Sequence, residues 1–222
     1  MNSIYEKLTE IPVFKGATRE FIHSFAEKTP LTFSKFGAGE RIARAGDVCR
    51  TVMCLLSGRV RARRRVWGGR LYVSETIAPE AVLAFDRLFG LDNRFGAHYT
   101  ALDVCGTMEF SKRVFIQLLQ DNQGVMVNYM NLLSRMSQKS AEAMAENSWL
   151  TAGQRLRALV ELATHRGCDD ITIESSGEAL TELFGPDSAE LFARLEMSGI
   201  ARLVSETELW VATRSGLLDY ND

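Results

Sequence analysis

The chain has 222 residues, 46% of them hydrophobic and 24% charged, with a formal net charge of −2. This is the composition of an ordinary folded globular protein of one large or two small domains. No apolar run approaches the ~20 residues needed to span a bilayer, and "MNSIYEKLTEIPVF" lacks a basic start followed by a long apolar block, so the sequence predicts no membrane partner, no secretory signal and a cytoplasmic location.

Residues 3 to 29 read as short helices, "SIYEKL" and then "ATREFIHSFAEKT", with Phe21, Ile22 and Phe25 on one face. From Leu31 to Phe115 the pattern becomes short strand-like runs punctuated by glycine. "FGAGERIARAGD" carries turn signals, "TVMCLLSGRVRARRRV" is strand-like, and "WGGR" at 67–70 forms a hairpin turn into "LYVSETI". Many short, closely spaced strands predict a barrel, roll or sandwich. Within them lie six arginines (59, 61, 63, 64, 65 and 70), of which Arg59, Arg61, Arg63 and Arg65 share one face by strand alternation. That face fits either an anion or nucleic-acid surface, or a solvated sheet face paired with acidic neighbours; the second reading is preferred.

Residues from Val114 to about Ser148 lack proline and are predicted as one long helix after the early Gly124. Met126, Met130, Leu133, Ser137, Ser140 and Met144 recur at steps of four and three along it, a heptad stripe long enough to pair with a second copy of the chain. The alternative is a face packed on its own domain. Beyond "SWLTAGQ", the segment "RLRALVELATHRG" is a helix ending at Gly167 and "CDDITIES" a strand. Two further helices follow: one opened by a Ser175–Glu178 capping box and stopped by Gly185, the other capped by Asp187 with Glu190 at its third position and ended by Gly199. "IARLVSETELWVA" closes the chain as a hairpin. Helix, strand, helix, tight turn, helix and two-stranded wing are the order of a winged helix-turn-helix.

Charge is unevenly spread. Residues 151–222 hold six arginines, no lysine and thirteen acidic residues, a net −7, whereas residues 1–150 hold 20 basic and 15 acidic residues, a net +5. Four cysteines (Cys49, Cys54, Cys105, Cys168) lack CxxC spacing and are expected as reduced structural thiols. No Ser-His-Asp order, P-loop, HExxH or paired-carboxylate motif points to catalysis, so no enzyme is expected.

A roll containing "GERIARAGD" and "LLSGRV", followed by "AVLAFDRLFGLDNRFGAHYTA" (81–101), a long helix and a winged helix, resembles the Crp/Fnr family of bacterial transcription regulators. The resemblance covers nearly the whole chain. It implies an α+β protein with a double-stranded β-roll effector domain with N-terminal helices at 1–115, a dimerisation helix at 116–150 and a winged helix-turn-helix at 151–222. It also implies a homodimer, an effector pocket in each roll and binding to duplex DNA.

Residues 81–101 align without a gap to the phosphate-binding cassette of the family's cyclic-nucleotide members. Where those relatives carry a glutamate for the ribose hydroxyl this chain has Phe85, and where they carry an arginine for the cyclic phosphate it has Phe95. The adjoining serine is Gly96, and the base-contacting pair on the long helix becomes Ser140 and Ala141. The charge-assisted contacts that hold a buried phosphate are missing at these places, and an unpaired anion in an apolar pocket is costly. A cyclic nucleotide is therefore not expected unless Arg87 or Arg94 turns inward; the alternative is that both are solvated. The pocket candidates are Phe85, Arg87, Phe89, Arg94, Phe95, Gly96, Tyr99 and Ser140, lining a space for an apolar effector or filled by its own side chains. No cofactor or metal is expected. His98 is a weak haem-ligand candidate, His23 lies on a predicted helix, and no cysteine cluster near the N-terminus suits an iron–sulfur centre.

The second helix of the predicted turn offers Arg194 against Asp187, Glu190 and Glu196, with Glu178, Glu182, Glu206 and Glu208 nearby. The DNA-contact candidates are Ser188, Arg194 and Arg202. Because phosphate neutralisation dominates affinity for duplex DNA, two readings stand: a DNA-binding regulator, and a regulator-derived module that has lost duplex binding and acts through protein contacts.

Overall fold

A computed structural model describes residues 4–145 and 150–220, with side chains described for 6–138 and 150–220. In chain order the elements are α1 (Ile4–Glu10), α2 (Arg19–Lys28), β1 (Thr32–Phe36), β2 (Arg41–Ala43), β3 (Thr51–Ser57), β4 (Val60–Val66), β5 (Leu71–Ile77), β6 (Ala81–Leu83), β7 (His98–Ala101), β8 (Cys105–Ser111), α3 (Lys112–Asp121) and α4 (Gln123–Ala145). They continue with α5 (Ala152–Ala163), β9 (Asp169–Ser175), α6 (Leu180–Phe184), α7 (Ser188–Met197), β10 (Ala201–Ser205), β11 (Glu208–Thr213) and α8 (Arg214–Leu218). No described helix is long and apolar enough to cross a membrane. The chain divides into two compact units, one of residues 1–60 and 78–135, the other of residues 61–77 and 136–222.

The first unit holds an antiparallel sheet in the order β1-β8-β3-β6 and the antiparallel pair β2–β7. "TVMCLLSGRVRARRRV" is two strands, not one. The chain turns at Gly58, whose φ is +78°, and a Cβ there would lie 2.5 Å from the Val104 carbonyl oxygen, so only glycine fits. Asp103 secures this turn by accepting from Arg59 N at 2.7 Å and Arg59 Nε at 2.9 Å. Ile22 and Phe25 are the buried residues of α2. Phe25 continues into a run of aromatic contacts through Phe110 (5.3 Å between centroids), Phe115 (6.2 Å) and Tyr129 (5.1 Å), joining helix α2 to β8, α3 and α4.

The break before the predicted long helix falls at Asn122, beside the early Gly124. Asn122 has φ −133° and ψ 105°, which ends α3, and its side-chain oxygen accepts from Val125 N at 3.0 Å, which opens α4. An asparagine that satisfies an orphan N–H locally competes with continuation of the helix. Val125 and Tyr129 form the buried face of α4, and Asn128 donates to the carbonyls of Val13 and Lys15. The heptad stripe lies elsewhere: Met126 and Leu133 are half-buried, Ser137 is exposed and Met130 is 56% exposed. The side chains of Ser140, Ala141 and Met144 lie outside the described residues.

The second unit is built on the strand order β10-β11-β9-β5-β4. Residues 61–77, expected within the 1–115 domain, are here part of this unit, because β5 pairs antiparallel with β9 over Leu71↔Ser175 to Thr76↔Asp169. Leu71 and Val73 enter one core with Leu156, Val160, Ile171, Ile173, Phe184 and Leu195. Helix α5 opens with a true capping box: Gln154 N donates to Thr151 Oγ1 and Thr151 N donates to Gln154 Oε1. The two expected boxes do not form. Ser175 is drawn into β9 by pairing with Leu71 of β5 and by its N–H donating to the Thr207 carbonyl, and its hydroxyl donates to the Glu178 carbonyl, so α6 starts only at Leu180. Asp187 sits at the start of α7 without a side-chain cap hydrogen bond. Gly185 (φ +96°) and Gly199 (φ +71°) end their helices as expected. Replacing Asn122 by alanine removes the cap of α4 and is expected to lower the unfolding free energy by about 1 kcal/mol in urea denaturation.

Candidate functional site

Three places carry the side chains singled out from sequence: the 81–101 segment, the arginine strand, and the α7–β11 surface. In the first, β6 ends at Ala84, which adopts a left-handed conformation (φ 54°, ψ 40°) and turns the chain into a single 3-10 turn, Phe85–Arg87. The far side of the segment is fixed to residues 46–49. Gly46 N donates to Phe95 O, Phe95 N to Asp47 O and Cys49 N to Asn93 O, each within 2.9 Å.

The structure distributes the expected pocket residues among different neighbours. Phe95 is buried and meets Tyr99 edge-on at 5.9 Å. Phe89 is 37% exposed, stacks on Phe115 at 6.2 Å and meets Tyr129 edge-on at 6.1 Å. Phe85 is half-buried and its carbonyl accepts from the Tyr129 hydroxyl at 3.1 Å. Arg94, exposed, donates from Nη1 to Gly46 O at 2.7 Å.

Arg87 is partly exposed and held by two carboxylates. It donates from Nε to Asp86 at 3.0 Å and from Nη1 to Asp92 at 2.9 Å, and its guanidinium lies 3.5–3.7 Å from where a Cβ on Gly96 would stand. A Cβ at position 96 would meet the guanidinium in ordinary van der Waals contact. His98 is exposed, and its Nδ1 accepts from Ala45 N at 3.2 Å. Among the described residues no group of three or more His, Cys, Asp or Glu is placed to hold a metal ion.

Tyr129 is the functional candidate that the sequence reading missed. It is buried, and burial together with the charges of Asp86 and Cys49 pushes its phenol up to about 12, so it remains a hydrogen-bond donor at neutral pH. It joins α4 to the 3-10 turn that follows Ala84. Its signal was the four-residue spacing from Val125, on a face different from the methionine stripe. Tyr129→Phe is expected to cost about 1 kcal/mol of stability in chemical denaturation, the worth of one buried hydrogen bond.

The arginine strand is neutralised by carboxylates. Arg61 pairs with Asp170 at 2.6 Å, Arg63 with Glu174 at 2.5 Å, Arg64 with Glu75 at 2.5 Å, and Arg70 with Glu178. Arg63 also lies over the Tyr72 ring, 4.1 Å from its centroid. Asp170 is a hub. It has φ 53°, at the point where the β5–β9 register shifts, and it accepts from Arg61, from Thr76 Oγ1 at 3.1 Å and from Trp210 Nε1 at 2.8 Å. A left-handed aspartate is uncommon, and the bulge aims its carboxylate at all three donors.

Glu75 is fully buried. Its Oε1 meets Arg64 Nη2 at 2.5 Å and His165 Nδ1 at 2.7 Å, and its Oε2 accepts from His165 N at 2.5 Å. Burial alone would raise its carboxyl; the charge and hydrogen bonds of His165 and the charge of Arg64 outweigh that and hold it near 2. The neighbouring Cys168 thiol is pushed up to about 12, by burial first and by Glu75 second, so it is an inert thiol. A carboxyl whose pKa is depressed on folding contributes stability that is present above its unfolded pKa and lost as pH falls toward the folded one. Unfolding free energy of the native chain is therefore expected to drop between about pH 4.5 and pH 2 more steeply than that of Glu75→Gln, compared by denaturant titration across that range.

On the α7–β11 surface the contact candidates part company. Ser188 is fully buried, its hydroxyl donating to Gly185 O at 2.5 Å and lying 3.1 Å from Thr181 O, so it does not face outward. A serine at the first helical position was needed to close the preceding turn. Arg194 is half-buried, with a buried Nε that lacks a hydrogen-bond partner, and Arg202 is exposed, lying over Trp210 at 5.8 Å. Glu182, Asp187, Glu190, Glu196 and Glu206 are exposed, as is Met197 at 81%.

Residues 33–122 match the family described as the cyclic nucleotide-binding domain. The solved catabolite activator protein of Thermus thermophilus superposes with a TM-score of 0.55 over 94% of this chain and 96% of that one, at 18% identity. The N-terminal domain of a Streptomyces coelicolor A3(2) transcriptional regulator gives a TM-score of 0.49 over 64% of this chain and 98% of its own, at 19% identity. The sensor domain of the transcriptional regulator DNR from Pseudomonas aeruginosa gives 0.48 over 59% and 91%, at 17% identity. No curated protein matches the chain. The chain thus carries a cyclic-nucleotide-binding domain fold in a mixed α/β architecture similar to that of the catabolite activator protein.

Proposed function

We propose that this protein is a homodimeric, DNA-binding transcription regulator of Crp/Fnr type whose effector pocket does not take a cyclic nucleotide. Likeness of fold to a catabolite activator protein over nearly the full length of both chains supports the regulator class. The order α5, β9, α6, α7, β10, β11, with the three-residue turn Gly185–Asp187 between α6 and α7, fits a winged helix-turn-helix. The half-exposed stripe Met126, Met130, Leu133 fits a helix that pairs with its copy.

The observation that carries the effector reading is the state of the 81–101 segment. Phe95 points into the protein against Tyr99, Phe85 offers no acceptor side chain, and Arg87, beside Gly96, is already held by Asp86 and Asp92. A cyclic phosphate entering there would have to displace two carboxylates from the nearest guanidinium and would gain none at position 95. Isothermal titration with cAMP and with cGMP is expected to give no binding heat. Stoichiometric uptake of either would overturn this reading.

A second reading, a module acting through protein contacts, is favoured by the exposed carboxylates of α7 and the wing. Fluorescence titration of labelled duplex DNA at low salt separates the two. The regulator reading expects binding that weakens steeply as salt rises; no binding at low salt leaves the protein-contact reading.

A further inference from the structure

We propose that the β4–β5 hairpin, residues 61–77, is an electrostatic latch: it docks on and releases from the edge of β9 as a unit, while the strands β9, β11 and β10 stay folded. The hairpin belongs to the second compact unit, yet the residues on both sides of it in sequence, up to Val60 and from Ala78, belong to the first. The inference goes beyond the proposed function and does not depend on DNA binding.

The hairpin's attachment is unlike that of the neighbouring strands. β11 and β9 are bound through fully buried apolar residues: Leu209, Val211, Ile171 and Ile173. The hairpin contributes Leu71 and Val73 to that core, and Trp67 rests on Phe184 at 5.4 Å. It pairs its backbone with β9 over Leu71↔Ser175 to Thr76↔Asp169, as β11 does on the other side of β9; what sets it apart is its ion pairs, in which Arg61, Arg63 and Arg70 reach Asp170, Glu174 and Glu178, and the buried Glu75 is met by His165, just beyond α5, as well as by Arg64. Two of these pairs are open to solvent. The side chains are 43% and 35% exposed in Arg63–Glu174 and 56% and 49% in Arg70–Glu178, so salt screens them. The clasp itself is shielded. With Glu75 fully buried, undocking must carry a carboxylate away from both His165 donors, which makes opening all-or-none rather than gradual.

A segment fastened by charge can open while the core beside it stays closed, and native-state hydrogen exchange reads that difference strand by strand. The experiment uses the full chain and follows the β5 amides (Leu71–Ile77), with β10–β11 and the β3–β8 pair as internal references. In the native sequence, raising NaCl from 0.05 to 0.5 M is expected to speed β5 exchange severalfold and leave the references unchanged. Glu174→Gln, which removes one exposed pair, is expected to act in the same direction at low salt. Glu75→Gln is expected to speed β5 exchange at least tenfold, again with β11 unchanged. The latch is overturned if β5 and β11 exchange at the same rate and respond together to salt and to Glu174→Gln, because the hairpin is then an inseparable part of the core. Should Glu75→Gln unfold the chain, the salt series and Glu174→Gln decide the matter alone.

Discussion

Glu75 sets the terms for the second half of this molecule. A fully buried carboxylate that stays ionised must receive hydrogen bonds and an opposing charge from within the protein, and here it receives three contacts, two from His165 and one from Arg64. Removing either partner would leave a charge in the interior at a cost of about 3–5 kcal/mol. The pairing therefore fixes where β4 and β5 go: their strand register, the end of α5 and the position of Cys168 are mutually determined. Buried ion pairs do little for net stability when weighed against apolar packing. Their value here is that they specify one arrangement.

The same arrangement explains the lopsided charge of the chain. The hairpin carries five arginines and one glutamate, a net +4, and the segment from 151 onward carries −7. Brought into one unit, the arginines meet Asp170, Glu174 and Glu178, and the acidic excess of the tail is partly spent on them. What looked like a handicap for contacting a polyanion is in part an internal counter-charge. The residual carboxylates, Glu182, Asp187, Glu190, Glu196 and Glu206, remain exposed on α6, α7 and the β10–β11 turn.

Much of the fold was legible in the residues. Glycines 68 and 69 punctuated the strands, the period of the buried positions separated helix from strand, and the order α5, β9, α6, α7, β10, β11 was readable from the turns. Local capping chemistry was less reliable. Ser175 reads as a helix cap by composition, but strand pairing with β5 and a hydrogen bond from its N–H to the Thr207 carbonyl claimed it first, and the Thr151–Gln154 box in "SWLTAGQ" went unread. Phe85, Phe95 and Gly96 were legible only through the resemblance, as residues standing where the resembled cassette has polar ones. That Arg87 would occupy the space over Gly96 was not, because nothing local says which way a long side chain turns. Asp170, Glu174 and Glu178 lie 108 to 111 residues from the arginines they meet, beyond any periodicity argument.

The measurement that tests the account most directly is a double-mutant cycle on Arg64 and Glu75. Arg64→Met, Glu75→Gln and the double variant would be compared with the native chain by urea denaturation, with near-neutral pH keeping the carboxylate ionised. The account predicts a coupling free energy of about 1–3 kcal/mol, the range for groups that share a buried network. Additivity to within about 0.5 kcal/mol would contradict it, since the two side chains would then be neighbours without being partners.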